Sequence, residues 1–321
     1  MKNKIILVGG DPNSINSEII AKSWKKLNNY QKKRIFLITN YELINAQIKY
    51  LKLPLKVKKV INLDHEIKGK YLKVIDLNLN FKKPFKVSRK SSSKFVLDSF
   101  DLAHKLAQRK DVSGVINCAI NKNLLNRNKI GVTEYLASKC GVKNNSEVML
   151  IHNKKLSVCP VTTHVDIKQV SKKLNSNVII KKINTINSWF NHKFNRKPKI
   201  GVLGLNPHNA ENRKNTEEKK VIRPAIQKLK KANVNISGPL VADTIFIKDY
   251  KKFDVIIGMY HDQVLGPFKT LFKYDAINIT LGLKYLRLSP DHGTAVSLIK
   301  KNKADPLSLI RCFNFINKFS K

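Results

Sequence analysis

The feature that most constrains the fold is the alternation of short apolar runs with segments of helical periodicity. Eight runs of four to seven residues are rich in Val, Ile and Leu: residues 5–8, 35–39, 74–77, 112–118, 148–151, 199–205, 254–259 and 276–280. Such runs are typical of strands that are buried on both faces. Between them, apolar residues recur on one helix face within residues 96–107, 183–190 and 221–229. This alternation predicts a mostly parallel sheet with helices on both faces.

The length and the linkers bound the domain organisation. At 321 residues the chain is long enough for one large domain or two ordinary ones. No long segment rich in Gly, Pro or Ser separates its parts, which favours two closely packed α/β lobes. No stretch approaches the roughly 18 apolar residues of a membrane span, and the N-terminal apolar run is too short for a signal peptide. We therefore expect a cytoplasmic protein that makes no membrane contact.

The positive charge is large and evenly spread. Lys and Arg total 62 against 22 Asp and Glu, which gives a net charge of +40. The lysines form doublets along the whole chain, and aromatic residues do not interleave with them as a stacking platform for nucleic acid requires. Asn and Ile are also abundant, so a general drift in composition explains the excess. Specific nucleic-acid binding is not predicted, whereas weak binding at low salt follows from the charge alone.

The four cysteines lie far apart and form no C-x-x-C pair: Cys118, Cys140, Cys159 and Cys312. This pattern indicates neither a zinc cluster nor a disulfide framework, and it suits reduced thiols in a cytosol. We interpret all four as small apolar fillers in or near strands.

Three of the eight histidines share one local setting. His164 ends the segment Cys159–His164, His208 follows the run 199–205, and His261 follows the run 254–259. In open parallel sheets, ligand sites gather outside the carboxyl ends of strands. One loop histidine by itself is commonly only hydrogen-bonded, but three in matching contexts favour a metal site. Three imidazoles would leave coordination positions open for substrate oxygens.

The segment after His261 is dense in polar groups: Lys269, Asn278, Arg287, Asp291 and His292. Lys269 and Arg287 suit phosphate binding, although a lone Lys in so basic a chain is commonly a solvated surface charge. Asp243, an acid in an otherwise apolar run, is either a helix cap or part of a site. No G-x-G-x-x-G opens a helix after a strand. That excludes the commonest dinucleotide site but not NAD binding by another fold.

Seven segments resemble the 4-hydroxythreonine-4-phosphate dehydrogenase family of vitamin B6 biosynthesis. In chain order they are Gly131–Glu134, Pro160–His164, Leu203–His208, Gly238–Thr244, Met259–Gln263, Asn278–Leu283 and Asp291–Ala295. The resemblance implies an α/β fold like that of isocitrate and isopropylmalate dehydrogenases, with two α/β/α lobes and a cleft between them. It also implies a homodimer. We place the first lobe at residues 1–125 and 280–321, and the second, with the metal and dimer contacts, at residues 126–279.

The resemblance also implies a chemistry. The ligands of a divalent ion (Zn2+, Mn2+, Co2+ or Mg2+) would be His164, His208 and His261, one of them lent by the partner subunit at a shared active site. The substrate would be bound by Thr133, Lys269, Asn278 and Arg287. Catalytic roles fall to Lys269, Asp243 and Asp262, and cofactor binding to Asp291 and His292. The implied reaction is NAD- or NADP-dependent oxidation of 4-phosphooxy-L-threonine at C3, followed by decarboxylation to 3-amino-2-oxopropyl phosphate.

The chain departs from the family pattern in three places. Val132 stands where the family usually has a substrate-binding histidine, and a Val side chain cannot donate a hydrogen bond. The family's glycine-rich stretch after the second metal histidine reads Asn209–Asn215 here. Near the N-terminus, Asn13–Asn16 replaces the usual Ala-Gly-Ile-Gly. Because the three histidines are unchanged, these departures bear on the substrate and the rate.

Three alternatives remain open from the sequence. A sister enzyme of the same fold would oxidise another phosphorylated hydroxy acid, such as a phosphothreonate, and Val132 favours it. A phosphate acyltransferase of similar fold would need neither metal nor nicotinamide, so the three histidines argue against it. A non-enzymatic basic binding protein would show steeply salt-dependent affinity for nucleic acid.

Overall fold

The computed structural model describes residues 3–65, 67, 70–125, 131–142 and 147–319. The chain divides into two compact units, one of residues 1–141 with 283–321 and the other of residues 142–282. The lobes predicted from the sequence change at 125/126 and at 279/280. Residue 126, where the second lobe was expected to begin, lies outside the described residues. The helix of residues 132–139 falls in the first unit.

Strands and helices alternate along the described chain. The strands are β1 (Lys4–Val8), β2 (Ile35–Thr39), β3 (Val57–Val60), β4 (Leu72–Asp76), β5 (Val112–Asn117), β6 (Val148–His152), β7 (Ser157–Thr162), β8 (Ile200–Leu203), β9 (Ile236–Leu240), β10 (Val255–Tyr260), β11 (Ile277–Leu281) and β12 (Arg287–Pro290). The helices are α1 (Asn16–Lys26), α2 (Asn29–Arg34), α3 (Tyr41–Tyr50), α4 (Arg89–Ala107), α5 (Val132–Lys139), α6 (Ile167–Lys173), α7 (Ser176–Phe194), α8 (Arg223–Lys231), α9 (Ala242–Ile245), α10 (His261–Phe272) and α11 (Leu307–Lys318).

The first unit has a parallel arrangement of strands in the order β3-β4-β2-β1-β5-β12. Side chains alternate between the two faces of a strand, so Ile6 and Val8 of β1 share one face. There they join a buried apolar cluster with Val96 and Phe100 of α4. The helical periodicity predicted for residues 96–107 is confirmed, and it points the apolar side of α4 at the strands.

The second unit has its strands in the order β11-β6-β7-β10-β8-β9. Strands β7, β10, β8 and β9 are parallel, but β6 is antiparallel to both β11 and β7. Only residues 153–156 connect β6 to β7, which is too short for the crossover that a parallel pair requires. The mostly parallel arrangement predicted from the sequence is confirmed, with β6 as its exception.

All eight predicted strands are present, with bounds within two residues of those expected. Strands β3, β7, β9 and β12 were missed. Strand β3 reads Val-Lys-Lys-Val, and β12 begins at the buried Arg287. Strand β9 contains Gly238 and Pro239, and β7 contains Pro160. Lys, Gly and Pro are poor strand formers and a buried Arg is rare, so pairing with neighbouring strands decides these segments.

The four cysteines are buried and have free thiols. Burial raises the pKa of the thiols of Cys118 and Cys312, and it raises the pKa of Cys159 to about 11. These side chains therefore act as small apolar residues. Among the described residues, no helix combines the length and the apolar character needed to cross a bilayer.

A cluster of charged side chains lies at the amino end of β1. Lys4 is only 3% exposed, and its Nζ lies 2.6 Å from Asp64 Oδ1 and 2.8 Å from Asp111 Oδ2. The Arg109 guanidinium donates to both carboxylate oxygens of Asp111, each at 2.9 Å. Hydrogen bonding from Arg109, followed by that from Lys4, holds the pKa of Asp111 well below its usual range. The buried ammonium therefore has its charge balanced.

We expect Asp111→Asn to lower the free energy of unfolding at pH 7 by about 1 kcal/mol. Because the folded-state pKa of Asp111 is lowered, its ion pairs stabilise the fold above the ordinary pKa of 3.8, and this contribution is lost as the pH falls through the folded-state pKa. Urea denaturation at pH 7 and at pH 3 measures the effect. The control is Asp249→Asn, which breaks only the exposed pair with Lys252. Equal losses in the two variants at pH 7 would contradict the prediction.

Candidate active site

Three histidines follow three neighbouring strands of the second unit. Strand β10 lies between β7 and β8 and is parallel to both. His164 follows β7, His261 begins α10 directly after β10, and His208 lies in a short turn, Pro207–Asn212, after β8. Parallel strands end at the same edge of a sheet, and ligand sites gather at that edge. Each of the three histidines therefore lies close to a strand end, where a binding group is expected.

His164 and His261 lie together. Their ring centroids are 5.7 Å apart, and the ring planes differ by 37°. His261 Nδ1 lies 2.7 Å from Asp262 Oδ1, so Nδ1 carries the proton in that hydrogen bond and Nε2 is the nitrogen left for a ligand. A carboxylate behind an imidazole in this way fixes the ring orientation of metal-binding histidines.

His208 lies apart from that pair as an exposed residue. Within the residues that the structure describes, no group of three or more His, Cys, Asp or Glu side chains converges closely enough to hold a metal ion. Imidazole nitrogens suit a divalent transition metal, so the donor chemistry fits even though one chain gathers only two donors. The role of the three histidines as metal ligands stays a prediction.

The loop that carries His208 has an unusual backbone. Four consecutive residues, His208 to Glu211, have φ between +48° and +55°. This left-handed conformation costs roughly 1–2 kcal/mol per residue for side chains other than glycine. The glycine-rich sequence of the family would adopt it freely, whereas this chain has Asn209, Ala210 and Glu211 there. The departure noted in the sequence therefore leaves the turn strained.

Glu218 anchors the same loop, and the sequence did not reveal it. Its side chain is 1% exposed, and Oε1 accepts hydrogen bonds from the backbone N–H groups of Leu205 and Asn206, both at 2.8 Å. Burial by itself would raise the pKa of Glu218, but the hydrogen bonds from Asn206 and Leu205 hold it below its usual range. In sequence, Glu217–Lys220 has the appearance of a solvated charge run, so only the tertiary fold shows that Glu218 is buried.

In the first unit, Arg287 is the central polar residue. It is 3% exposed, and its Nε donates to Asn117 Oδ1 at 2.7 Å. A terminal nitrogen of the guanidinium lies 3.4 Å from Thr133 Oγ1, and Thr133 is in the first turn of α5. Burial lowers the pKa of Arg287 to about 10, so the group stays charged at neutral pH. A guanidinium beside a helix N-terminus suits a phosphate or a carboxylate.

Other predicted residues occupy varied surroundings. In the second unit, Asp243 is exposed on α9, Lys269 is exposed on α10, and Asn278 is half-buried in β11. Asn278 Oδ1 is buried and has no hydrogen-bond partner among the described residues. Such an acceptor is normally satisfied, so its position favours a ligand contact. In the first unit, the backbone N–H of Asp291 donates a hydrogen bond to Ser308 Oγ at 2.8 Å.

His292 follows Asp291 and is also half-buried. Its Nδ1 lies 2.9 Å from the carbonyl oxygen of Gly293. Farther along this segment, Thr294 accepts a hydrogen bond from the backbone N–H of Ile15, in the loop after β1. The cofactor-binding role expected for Asp291 and His292 is tested by none of these contacts and stays a prediction.

The departure at Asn13–Asn16 has a structural role. The Asn13 side chain pairs with both backbone groups of Val87, at 2.9 Å each. Asn16 Nδ2 donates to the carbonyl oxygens of Gly9 at 2.9 Å and of Ala119 at 2.7 Å. Asn16 thereby joins the loops that follow β1 and β5, and Asn13 joins the loop after β1 to the segment before α4. The Ala and Gly that the family pattern has at these two positions carry no hydrogen-bonding side chain.

The fold of this chain has a counterpart among solved structures. It is similar to that of a beta-decarboxylating dehydrogenase from Thermococcus kodakarensis, with a TM-score of 0.51 at 10% identity, covering 99% of this chain and 83% of that one. At this identity the likeness shows the fold alone. It confirms the fold class predicted from the sequence.

The chain belongs to the family described as "Pyridoxal phosphate biosynthetic protein PdxA", which it matches over residues 31–316. It is 37% identical over 314 residues to the 4-hydroxythreonine-4-phosphate dehydrogenase of Sulfurihydrogenibium sp., with 96% of this chain and 95% of that protein covered. It is 30% identical over 318 residues to a "Putative D-threonate 4-phosphate dehydrogenase" of Oceanobacillus iheyensis, covering 95% and 94%. The crystal structure of the Klebsiella pneumoniae 4-hydroxythreonine-4-phosphate dehydrogenase has a TM-score of 0.85 at 26% identity, covering 99% of this chain and 100% of that one.

Family membership narrows the alternatives that the sequence left open. The relatives are named dehydrogenases, so this chain is an enzyme and an oxidoreductase. A dehydrogenase implies a nicotinamide cofactor. The phosphate acyltransferase and the non-enzymatic binding protein are thereby set aside, and the two dehydrogenase readings remain.

We expect Glu211→Gly to raise the free energy of unfolding by about 0.5–1 kcal/mol, because glycine relieves the left-handed strain and returns part of that gain as chain entropy. Glu211 is exposed, so removing its side chain leaves no cavity. Glu211→Ala is the matched control, since it keeps the Cβ atom that causes the strain. Urea denaturation of both variants measures the difference, and equal stabilities would show that residue 211 carries no backbone strain.

Proposed function

We propose that this enzyme oxidises 4-phosphooxy-L-threonine at C3 with NAD or NADP and then decarboxylates the product to 3-amino-2-oxopropyl phosphate, in the cytoplasm, as a step towards pyridoxal phosphate. The observation that carries the proposal is the family match over residues 31–316. The names of relatives that align along nearly the whole chain support the same substrate.

We further propose that His164, His208 and His261 hold one divalent ion. A divalent ion at such a site supplies Lewis-acid chemistry, which lowers the pKa of an alcohol and polarises a ketone. The 5.7 Å separation of the His164 and His261 rings supports two adjacent coordination positions. Since one chain gathers only two of the three imidazoles, a homodimer in which a second copy lends an imidazole fits this arrangement.

The remaining groups suit the charges of the substrate. Arg287 and Thr133 offer donors at the N-terminus of α5, and Lys269 offers a further cation, so phosphate and carboxylate both find partners. Asn278 offers a buried amide oxygen to a donor such as the substrate amine or hydroxyl. Thr133, Lys269, Asn278 and Arg287 are therefore the residues that we propose for substrate binding.

The reaction needs one base. Oxidation moves the hydrogen on C3 to the nicotinamide as a hydride, and the hydroxyl proton goes to a carboxylate, for which Asp243 and Asp262 are the candidates. Asp262 also orients His261 through its 2.7 Å hydrogen bond. The resulting β-keto acid then loses its carboxyl group as CO2, and C2 takes up a proton.

The second candidate is oxidation of D-threonate 4-phosphate. It is supported by the similarity to the Oceanobacillus iheyensis protein of that name and by Val132, which replaces a histidine that would touch the substrate. D-Threonate carries a hydroxyl where 4-phosphooxy-L-threonine carries an amine, so the groups that face C2 decide between the two substrates.

The deciding experiment is NADH or NADPH formation from 4-phosphooxy-L-threonine by chelated protein, with Zn2+, Mn2+ or Mg2+ added back. We expect metal-dependent turnover that His208→Ala lowers by at least about 100-fold, whereas the exposed His192→Ala on α7 leaves it unchanged. Turnover of D-threonate 4-phosphate alone would select the second candidate. Turnover of neither substrate with any of the metals would contradict both.

We expect Val132→His to lower the KM for 4-phosphooxy-L-threonine about tenfold, since one hydrogen bond to a charged group contributes about 1.5–3 kcal/mol. Val132 is the first residue of α5, next to Thr133, so the new imidazole would join the groups at that helix end. Val132→Leu is the apolar control and should leave KM unchanged. Steady-state kinetics of the two variants measures this, and the same KM in both would show that residue 132 does not contact the substrate.

A further inference from the structure

The strained turn that carries His208 must be held by contacts with the residues around it. Residues 208–211 keep a left-handed backbone without a single glycine, although a loop on the surface could relax to a less costly conformation. Strain of this kind persists only where surrounding contacts over-determine the backbone. The contacts of residues 204–209 therefore indicate what fixes the position of His208.

The most buried of these contacts comes from Glu218. One carboxylate oxygen accepts the backbone N–H groups of Leu205 and Asn206, and the other lies 3.1 Å from Asn206 Nδ2. Asn206 is two residues before His208, so both its backbone and its side chain are held by one group. Hydrogen bonds to a carboxylate are roughly twice as strong as those between neutral groups.

The backbone around Glu218 supports a special role. Residues 218–222 form a π-helical turn in which the N–H of Arg223 donates to the carbonyl oxygen of Glu218. Pro224 follows within α8 and has no N–H to donate to an α-helical turn. π-Helical turns of this length are rare and occur frequently at functional sites.

Two further contacts tie the loop to its neighbours. Gln263 Nε2 donates to the carbonyl oxygen of Gly204 at 2.7 Å, while Gln263 Oε1 accepts the N–H of Met259 at 2.7 Å. Gln263 thereby connects the start of the His208 loop with the end of β10, which precedes His261. On the C-terminal side of His208, Asn209 Nδ2 donates to the carbonyl oxygen of Pro239 at 3.1 Å. The turn is thus anchored on both sides, with Glu218 on the side of Asn206.

We propose that Glu218 is a positioning residue for His208: by holding Leu205 and Asn206 it fixes the turn that presents the imidazole to a divalent ion. The inference rests on the proposed function, because it takes His208 as a metal ligand. Groups that orient a ligand from behind contribute roughly 10- to 100-fold to metal affinity.

The test is a Co2+ titration of the chelated protein, followed by its visible absorption, which reports the number and geometry of the ligands. We expect Glu218→Ala to weaken Co2+ binding about 10- to 100-fold and to change the spectrum towards that of His208→Ala. Glu217→Ala is the matched control, since Glu217 makes only one contact with Asn206 Nδ2, at 2.9 Å. It should bind Co2+ within about twofold of the unchanged protein.

Glu218→Gln keeps an oxygen that can accept the two backbone N–H groups, and we expect it to recover most of the affinity that Glu218→Ala loses. It also serves as the test variant should Glu218→Ala not fold, with a loss of about threefold expected because one of two carboxylate oxygens becomes a donor.

The outcomes separate this inference from the proposed function. Glu218→Ala that melts at a lower temperature but keeps the Co2+ affinity and spectrum would show that Glu218 only stabilises the fold, and would overturn the inference alone. If the unchanged protein binds no Co2+, or if His208→Ala binds it as tightly, then the metal site itself fails, and the proposed function fails with it.

Discussion

The structure depends on the parallel pairing of β7, β10 and β8. Ile257 of β10 faces Cys159 of β7 and Val202 of β8, so the three strands run side by side and finish at one edge. A slip of one residue would turn every side chain of a strand to its opposite face. Strand β10 is buried on both faces, so such a slip would force side chains of different size into each other's packed positions. Register set by apolar burial is therefore what brings the loops of three histidines to the same edge.

In a chain with a net charge of +40, three carboxylates that are buried or partly buried have specific structural tasks. Asp111 balances Lys4 and Arg109 at the amino end of β1. Glu18, 1% exposed, accepts Lys22 and the N–H of Ala304. Glu218 holds the loop before His208. A cation or N–H group removed from water needs such a partner, so these three acids lie where a backbone group or a charge is buried, whereas most of the described lysines are exposed.

The sequence predicted the strands and helices that have a regular apolar pattern, and it missed the features that depend on contacts between residues far apart in the chain. The strand Ile35–Thr39, apolar in its first four residues, was placed to the residue, since a strand buried on both faces is largely apolar. The strand-end positions of the histidines follow from the same logic. Glu218 was missed because its partners, Leu205 and Asn206, become its neighbours only when the loop after β8 folds back. The spacing of His164 and His261, 97 positions apart, does not show that their rings come within 5.7 Å of each other; that expectation came from their matching strand-end settings and from the family resemblance.

The buried thiols give each unit an internal reporter. Cys159 is the one cysteine within residues 142–282, while Cys118, Cys140 and Cys312 belong to the other unit. A thiol that is buried and whose pKa is raised reacts with an alkylating reagent only after the surrounding structure opens. The rate of labelling at Cys159 would then follow opening of the second unit by itself. If a ligand stabilises the second unit against opening and leaves the first unchanged, alkylation slows at Cys159 and not at the other three cysteines.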